Sequence, residues 1–264
     1  MSKNSNTLNP KRYALTIGWL YPDLMNTYGD RGNVVILANR AKWRGIETKV
    51  EQITVETDEK KLADCDLVFM GGAQDTQQEI VNEDLLNNKG KTLIKMVEDG
   101  KPGLFICGAY QFLGKFYKTA DGKKLHGLSL FNLYTENPGE TAKRLIGNVV
   151  AKTKTGNIVG FENHGGRTYL EDKSQAFAEI VSGFGNNGED NTEGIHYKNA
   201  IGTYFHGPIL SKNPELADWF IQKALEIKYG EPFDSAQGKK IELEELDDSL
   251  EQKAKDEILN RLKQ

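Results

Sequence analysis

Short apolar runs separated by glycine-rich loops dominate the first half of the chain. Tyr13–Leu20 is one such run and fits a strand, and the turn-rich segment 28–33 (YGDRGN) follows it. From Val34 to Trp43 the apolar residues Val34, Leu37, Ala38 and Ala41 recur at helical spacing, with Asn33 available as an N-cap and Gly45 as a stop. Ile46–Ile53 alternates like a second strand, and its Thr and Lys content puts it near a sheet edge. Asp66–Met70 reads as a buried strand ending in Gly71 and Gly72. Helical material over Thr76–Glu98, broken near Asn87–Gly90, comes next, and Gly103–Ile106 is a further compact strand. Strands interleaved with helices predict an α/β fold: an open, mostly parallel sheet with flanking helices and functional loops at the strands' carboxyl ends.

The second half is less regular. Leu145–Lys152 and Asn157–Glu162 read as strands around a turn at Lys154–Gly156, and Ala200–Phe205 reads as a strand running into His206. Leu216, Trp219, Phe220, Ala224 and Ile227 mark a helix over Pro214–Tyr229. Beyond Lys239 the chain is charged, with Leu246, Leu250, Ile258 and Leu262 suggesting an appended helix whose stripe packs on the domain or touches a partner.

Composition narrows the possibilities. The 264 residues, 38% of them hydrophobic, suffice for one α/β domain with extensions. The expected division is a flexible segment 1–12, a domain over 13–233 and a charged helical extension over 234–264. A net charge of -4, spread along the chain, argues against nucleic acid as a partner. No apolar run approaches the roughly 18 residues that suggest a membrane span, and the opening residues lack a signal-type apolar core, so a cytoplasmic location is expected.

Two cysteines and four histidines are the candidates for chemistry. Cys65 lies between Asp64 and Asp66, which disfavour a thiolate, and reads as structural. Cys107 stands where an apolar strand meets small residues and a helix start, so that unpaired backbone N–H groups favour its thiolate. His206, directly after a strand, can project to the same rim. His164 is a weaker rival, and His126 and His196 lie in turn-like surroundings. Backbone N–H groups at Gly72, Gly108 and Ala109 could stabilise an oxyanion formed on a substrate carbonyl. With no C-x2-C pair, no H-E-x-x-H helix and no close histidine pair, no metal site is expected. The segment 28–33 matches neither common phosphate-loop pattern.

Residues 104–114 (LFICGAYQFLG), with 69–75 (FMGGAQD) upstream and 202–209 (GTYFHGPI) downstream, resemble the class I glutamine amidotransferases of the cobyric-acid-synthase type. Segments 28–33, 160–169 (GFENHGGRTY), 193–198 (EGIHYK) and 205–210 extend the likeness to the glutaminase subunits of bacterial lipid II isoglutaminyl synthases, over roughly residues 13–233. The resemblance implies a class I amidotransferase-like fold with Cys107 and His206 as the catalytic pair. It also implies Arg144 as a holder of L-glutamine, suited to a carboxylate by its guanidinium, and Gln111 as a further substrate contact. Two departures stand out: Phe105 where ordinary class I enzymes have glycine, and Pro208 where they have a glutamate that orients the histidine. Asp30 is the family-supported substitute acid and Glu162 the alternative, and orientation of His206 by backbone alone is also open.

The same resemblance implies a Mur-ligase-like synthetase partner that binds ATP, magnesium and lipid II. This chain would then carry no cofactor of its own and would reach the inner face of the membrane through the complex. Amidotransferases serving another acceptor, a cysteine peptidase and a noncatalytic scaffold are the alternatives.

Overall fold

The computed structural model describes residues 13–73, 75–139, 141–230 and 241–261. The expected flexible segment 1–12 lies outside the described residues. In chain order the elements are β1 (Ala14–Leu20), α1 (Arg31–Trp43), β2 (Glu47–Ile53), α2 (Glu59–Ala63), β3 (Leu67–Met70), α3 (Asp75–Asp84), α4 (Gly90–Glu98), β4 (Gly103–Ile106) and α5 (Gly108–Phe112). There follow β5 (Phe116–Lys118), β6 (Lys124–His126), β7 (Leu133–Glu136), β8 (Leu145–Thr153), β9 (Gly156–His164), β10 (Arg167–Leu170), β11 (Ala178–Ser182), β12 (Thr192–Glu193), β13 (Ile195–Tyr197), β14 (Ala200–Thr203), α6 (Pro214–Tyr229) and α7 (Ser249–Arg261).

Six strands form the central sheet in the order β13-β14-β4-β3-β1-β2, parallel throughout except for the β13–β14 pair. β2 is an edge strand, as its polar content predicts. β3 and β4 are buried at every position, because helices cover both faces. Side chains alternate across the sheet: Val68, Met70 and Phe105 pack towards α2, α3 and α4, whereas Leu67, Phe69, Leu104 and Ile106 pack towards α1 and α6. Each such side chain contributes roughly 1.5–3 kcal/mol on burial.

Two smaller sheets lie beside the central one, and of their strands only β8 and β9 were read in the sequence. One has the order β10-β7-β5-β6 and the other β12-β11-β8-β9. Their strands are mostly short, and pairs such as β7 with β10 are distant in sequence, so local periodicity did not reveal the others. The predicted hairpin over residues 145–162 is present as β8 and β9 and belongs to the second of these sheets.

Three local expectations differ from the structure. The break near Asn87–Gly90 is a π-helical turn, Leu85–Lys89, joining α3 to α4. A Cβ on Gly90 would lie 2.4 Å from the Leu85 carbonyl oxygen, so only glycine fits this widened turn. Asn33 is inside α1 rather than at its cap, donating to the Asp30 carbonyl and accepting from Leu210 N at 3.1 Å. Of the expected apolar stripe, Leu250 in α7 is 75% exposed, Leu246 and Ile258 are half-buried and Leu262 lies outside the described residues, while the buried Lys255 is bonded to Glu215 of α6. The C-terminal segment is also tied on by Arg40 of α1 and Arg44 just after it, which reach Asp248 and the Glu244 carbonyl and share Asp218 of α6. Among the described residues no helix is long and apolar enough to cross a membrane.

Candidate active site

The carboxyl ends of β3, β4 and β14, three adjacent strands, face one rim. β4 passes into α5 through Cys107, whose backbone (φ 55°, ψ −107°) lies in a region that side-chain-bearing residues enter at a cost of about 1–3 kcal/mol. Cys107 N donates to Thr203 O at 2.9 Å and Gln111 N to Cys107 O at 3.0 Å, so the sheet and the first helical turn jointly hold this elbow. The arrangement presents the sulfur beside the first-turn amides of Gly108 and Ala109, which have no partner within the helix.

β14 ends at Thr203, short of the predicted Phe205. The next residues leave the central sheet, and His206 forms an isolated antiparallel bridge with Phe161 of β9. That detour brings the imidazole to Asp30, which ends the β1–α1 loop. His206 Nδ1 lies 3.0 Å from Asp30 Oδ1, with both side chains fully buried. Asp30 Oδ2 accepts a second hydrogen bond from Gly72 N at 3.0 Å. Asp30 therefore takes the orienting position that Pro208 leaves vacant in the sequence.

Gly72 is the point on which the three groups converge. A Cβ there would meet His206 Cε1 at 3.1 Å and Cys107 Cβ at 3.2 Å, and would come within 3.6 Å of Asp30 Oδ2. Any other residue would push the cysteine and histidine apart. His206 Nε2 is buried without a hydrogen-bond partner, which leaves it available to a proton from the neighbouring thiol or a substrate. Burial pulls the imidazole pKa down, but the Asp30 charge and hydrogen bond, helped by Cys107, outweigh it and raise the value to about 10.

The other candidates fall into distinct groups. Glu162, also fully buried, does not reach His206: its oxygens accept from Phe184 N at 2.8 Å and Gly185 N at 2.9 Å. The next acid along the chain from the Phe161 bridge is thus spent on a loop. His164 stacks on Tyr204 with ring centroids 3.6 Å apart and its Nδ1 2.8 Å from Gly166 O, so it is no rival base. Cys65 is buried, bonded to Lys61 O, and its pKa is pushed up to about 12 mainly by burial, as befits a structural thiol.

Arg144 is exposed at the start of β8, its guanidinium held by three hydrogen bonds to Asn163 at 3.0–3.1 Å. Gly165 and Gly166 run from it to Gln111: a Cβ on Gly165 would sit 3.3 Å from Arg144 Nη1, and one on Gly166 2.7 Å from Gln111 Nε2. Arg144 thus borders the loop that covers the cysteine's helix. Gln111, by contrast, is buried and donates through Nε2 to Tyr204 OH at 3.0 Å, with its buried Oε1 lacking a partner.

The expected oxyanion donors also divide. Gly72 N–H is occupied by Asp30, so its part is to hold the acid rather than to meet an oxyanion. Sequence reasoning missed Ala73, whose N would lie 3.4 Å from a Cβ on Gly108, and Asn163, the anchor of Arg144. The GGA run at 71–73 was the only signal for the former.

A model of the CobB/CobQ-like glutamine amidotransferase domain matches residues 16–214. The chain is 45% identical over 251 residues to the lipid II isoglutaminyl synthase (glutamine-hydrolyzing) subunit GatD of Staphylococcus aureus (strain N315), covering 94% of this chain and 96% of that one. It is 40% identical to the GatD subunit of Streptococcus pneumoniae (strain ATCC BAA-255 / R6), covering 83% and 84%. A probable cobyric acid synthase of Methanocaldococcus jannaschii is 31% identical but aligns over 63% of this chain and 36% of that protein. Among solved structures, one described as a glutamine amidotransferase superposes with a TM-score of 0.55 at 16% identity, covering 79% of this chain and 98% of that one. The glutaminase domain of Trypanosoma brucei CTPS with bound acivicin superposes at 0.50 and 11% identity, covering 87% and 100%. Those two likenesses are of fold. With the elbow cysteine, its histidine and the buried aspartate all inside the matched span, the chain belongs to the CobB/CobQ-like glutamine amidotransferase family.

Proposed function

We propose that the chain is the glutaminase subunit of a lipid II isoglutaminyl synthase, supplying ammonia to a Mur-ligase-like partner. The observation that carries this reading is the convergence of Cys107, His206 and Asp30 on Gly72. Likeness to GatD along nearly the whole of both chains favours this acceptor over a cobyric acid, whose synthase matches only in part.

L-Glutamine enters with its α-carboxylate at Arg144 and its carboxamide over Cys107. Asp30 pairs with His206 Nδ1 and favours the imidazolium, so Nε2 already holds the thiol proton and the sulfur attacks the carboxamide carbon as thiolate. The C–S bond forms as the C=O electrons move to oxygen, and the amides of Gly108 and Ala109, with Ala73 beside them, meet that oxyanion. The C–N bond then breaks, and His206 returns its proton to the departing nitrogen, releasing ammonia. Water, losing a proton to His206, attacks the γ-glutamyl thioester. The C–S bond breaks, glutamate leaves and the thiol is restored.

The ammonia passes to the partner, which activates the isoglutamate α-carboxylate of the lipid II stem peptide with ATP and magnesium. Membrane contact comes through that partner, at the inner face. Glutamate and ammonia release by the purified complex is the test. Cys107→Ser and His206→Ala should each lower it by at least about a thousandfold with the complex intact. Undiminished release in either variant would refute the mechanism, and nitrogen from glutamine appearing in another acceptor would refute the assignment to lipid II.

A further inference from the structure

Tyr28, in the loop that delivers Asp30, has two features that the mechanism above leaves unused. Its backbone (φ 53°, ψ 27°) is in the left-handed region, which a residue with a Cβ enters only at a cost. Its ring meets the His206 imidazole edge to face, with centroids 5.0 Å and planes 72° apart, although Tyr28 itself is 48% exposed. The imidazole beneath has no exposed surface. A half-exposed ring on a strained backbone gains little from burial, so its contact with His206 is the feature that accounts for its placement. The loop is fastened on both sides of Tyr28, by Thr27 N to Gly72 O at 3.2 Å and Asp30 N to Thr27 O at 3.2 Å, which keeps the strain from relaxing.

We infer that Tyr28 is a positioning residue for glutamine hydrolysis. Its ring forms the outer wall that keeps the His206 imidazole in the plane where Nδ1 meets Asp30 and Nε2 faces the nucleophile, and the left-handed turn exists to bring the ring there. Asp30 fixes one nitrogen and Tyr28 fixes the tilt about that bond. This role deepens the glutaminase reading and rests on it.

Tyr28→Gly separates strain from positioning, because glycine adopts this backbone without penalty. In the full chain with its partner subunit, Tm should stay level or rise. The turnover number for glutamate release should fall by about tenfold or more, with KM for glutamine changed by less than about twofold. Tyr28→Phe should restore turnover to within about threefold of wild type, since the ring and not the hydroxyl makes the contact. Wild-type turnover in Tyr28→Gly, a loss carried by KM instead, or a Tyr28→Phe variant as slow as the glycine variant would each overturn the inference. Cys107→Ser run alongside reports on the underlying reading. Retained turnover there removes glutaminase chemistry and the role of Tyr28 together, whereas loss there with full turnover in Tyr28→Gly removes only Tyr28.

Discussion

Asp30 and Glu162 are both fully buried carboxylates beside a buried histidine, yet only one couples to its imidazole at hydrogen-bonding distance. Asp30 closes to 3.0 Å from His206 Nδ1, and the imidazole pKa rises to about 10. Glu162 spends both oxygens on the amides of Phe184 and Gly185 and stops 3.8 Å from His164 Nε2, where burial prevails and holds that imidazole below its ordinary value. Burial acts on both rings in the same direction. The sign of the outcome depends on whether a carboxylate comes within hydrogen-bonding distance with an oxygen left for the ring. A loop at the rim of the sheet lets Asp30 reach across. A place within β9 keeps Glu162 facing the loop between β11 and β12.

Asp30→Asn is the substitution expected to break this contrast most sharply. An amide in that place neither favours the imidazolium nor fixes the tautomer, so glutamate release should fall on the order of 10²–10⁴-fold while the chain remains folded. Stability should respond to pH in a definite direction. The folded-state pKa of His206 is raised, so the stabilisation from its pairing with Asp30 is fully present below the ordinary value of 6.5 and is lost as pH climbs through about 10. The Tm gap between wild type and Asp30→Asn should therefore shrink over that window. A gap that widened with pH would contradict the assignment.

Arg144→Ala sharpens the comparison from the side of the substrate. Removal of a guanidinium anchored on Asn163 should raise KM for glutamine by roughly 10- to 100-fold and change the turnover number much less. A glutamine titration that superposes on wild type would take Arg144 out of binding.

Glu162→Gln should show the smallest effect on chemistry. It replaces one of two acceptor oxygens with a donor facing a backbone N–H, at a cost of about 1–3 kcal/mol in denaturant unfolding, while turnover stays within about threefold of wild type. A large loss of turnover without a loss of stability would return Glu162 to the chemistry.

Much of the scaffold was legible along the chain. The buried runs at 67–70 and 103–106, the helix over Pro214–Tyr229 and the edge character of β2 are local properties, since alternation and helical spacing record which side of an element loses water. Of the small sheets only the β8–β9 hairpin was legible; strands such as β7 and β10 are short and pair across long stretches of sequence. Asn33 misled for a similar reason: its type suits a helix cap, but the loop after His206 claims its side chain. Gly72 was correctly drawn to the site and wrongly assigned, because sequence shows that a tight turn is needed and not which acceptor its N–H will meet.

The amino-acid order by itself determined that a thiol would stand at a strand-to-helix elbow and that a histidine would follow a neighbouring strand. Small residues around that elbow set how closely backbone can approach. Only the tertiary structure decided that Asp30, 176 positions away, and not Glu162, would meet that histidine. Periodicity reports burial one element at a time, whereas a pairing of this kind depends on where the β1–α1 loop and the segment after β14 come to lie relative to each other, which the packing of helices on both faces of the central sheet sets.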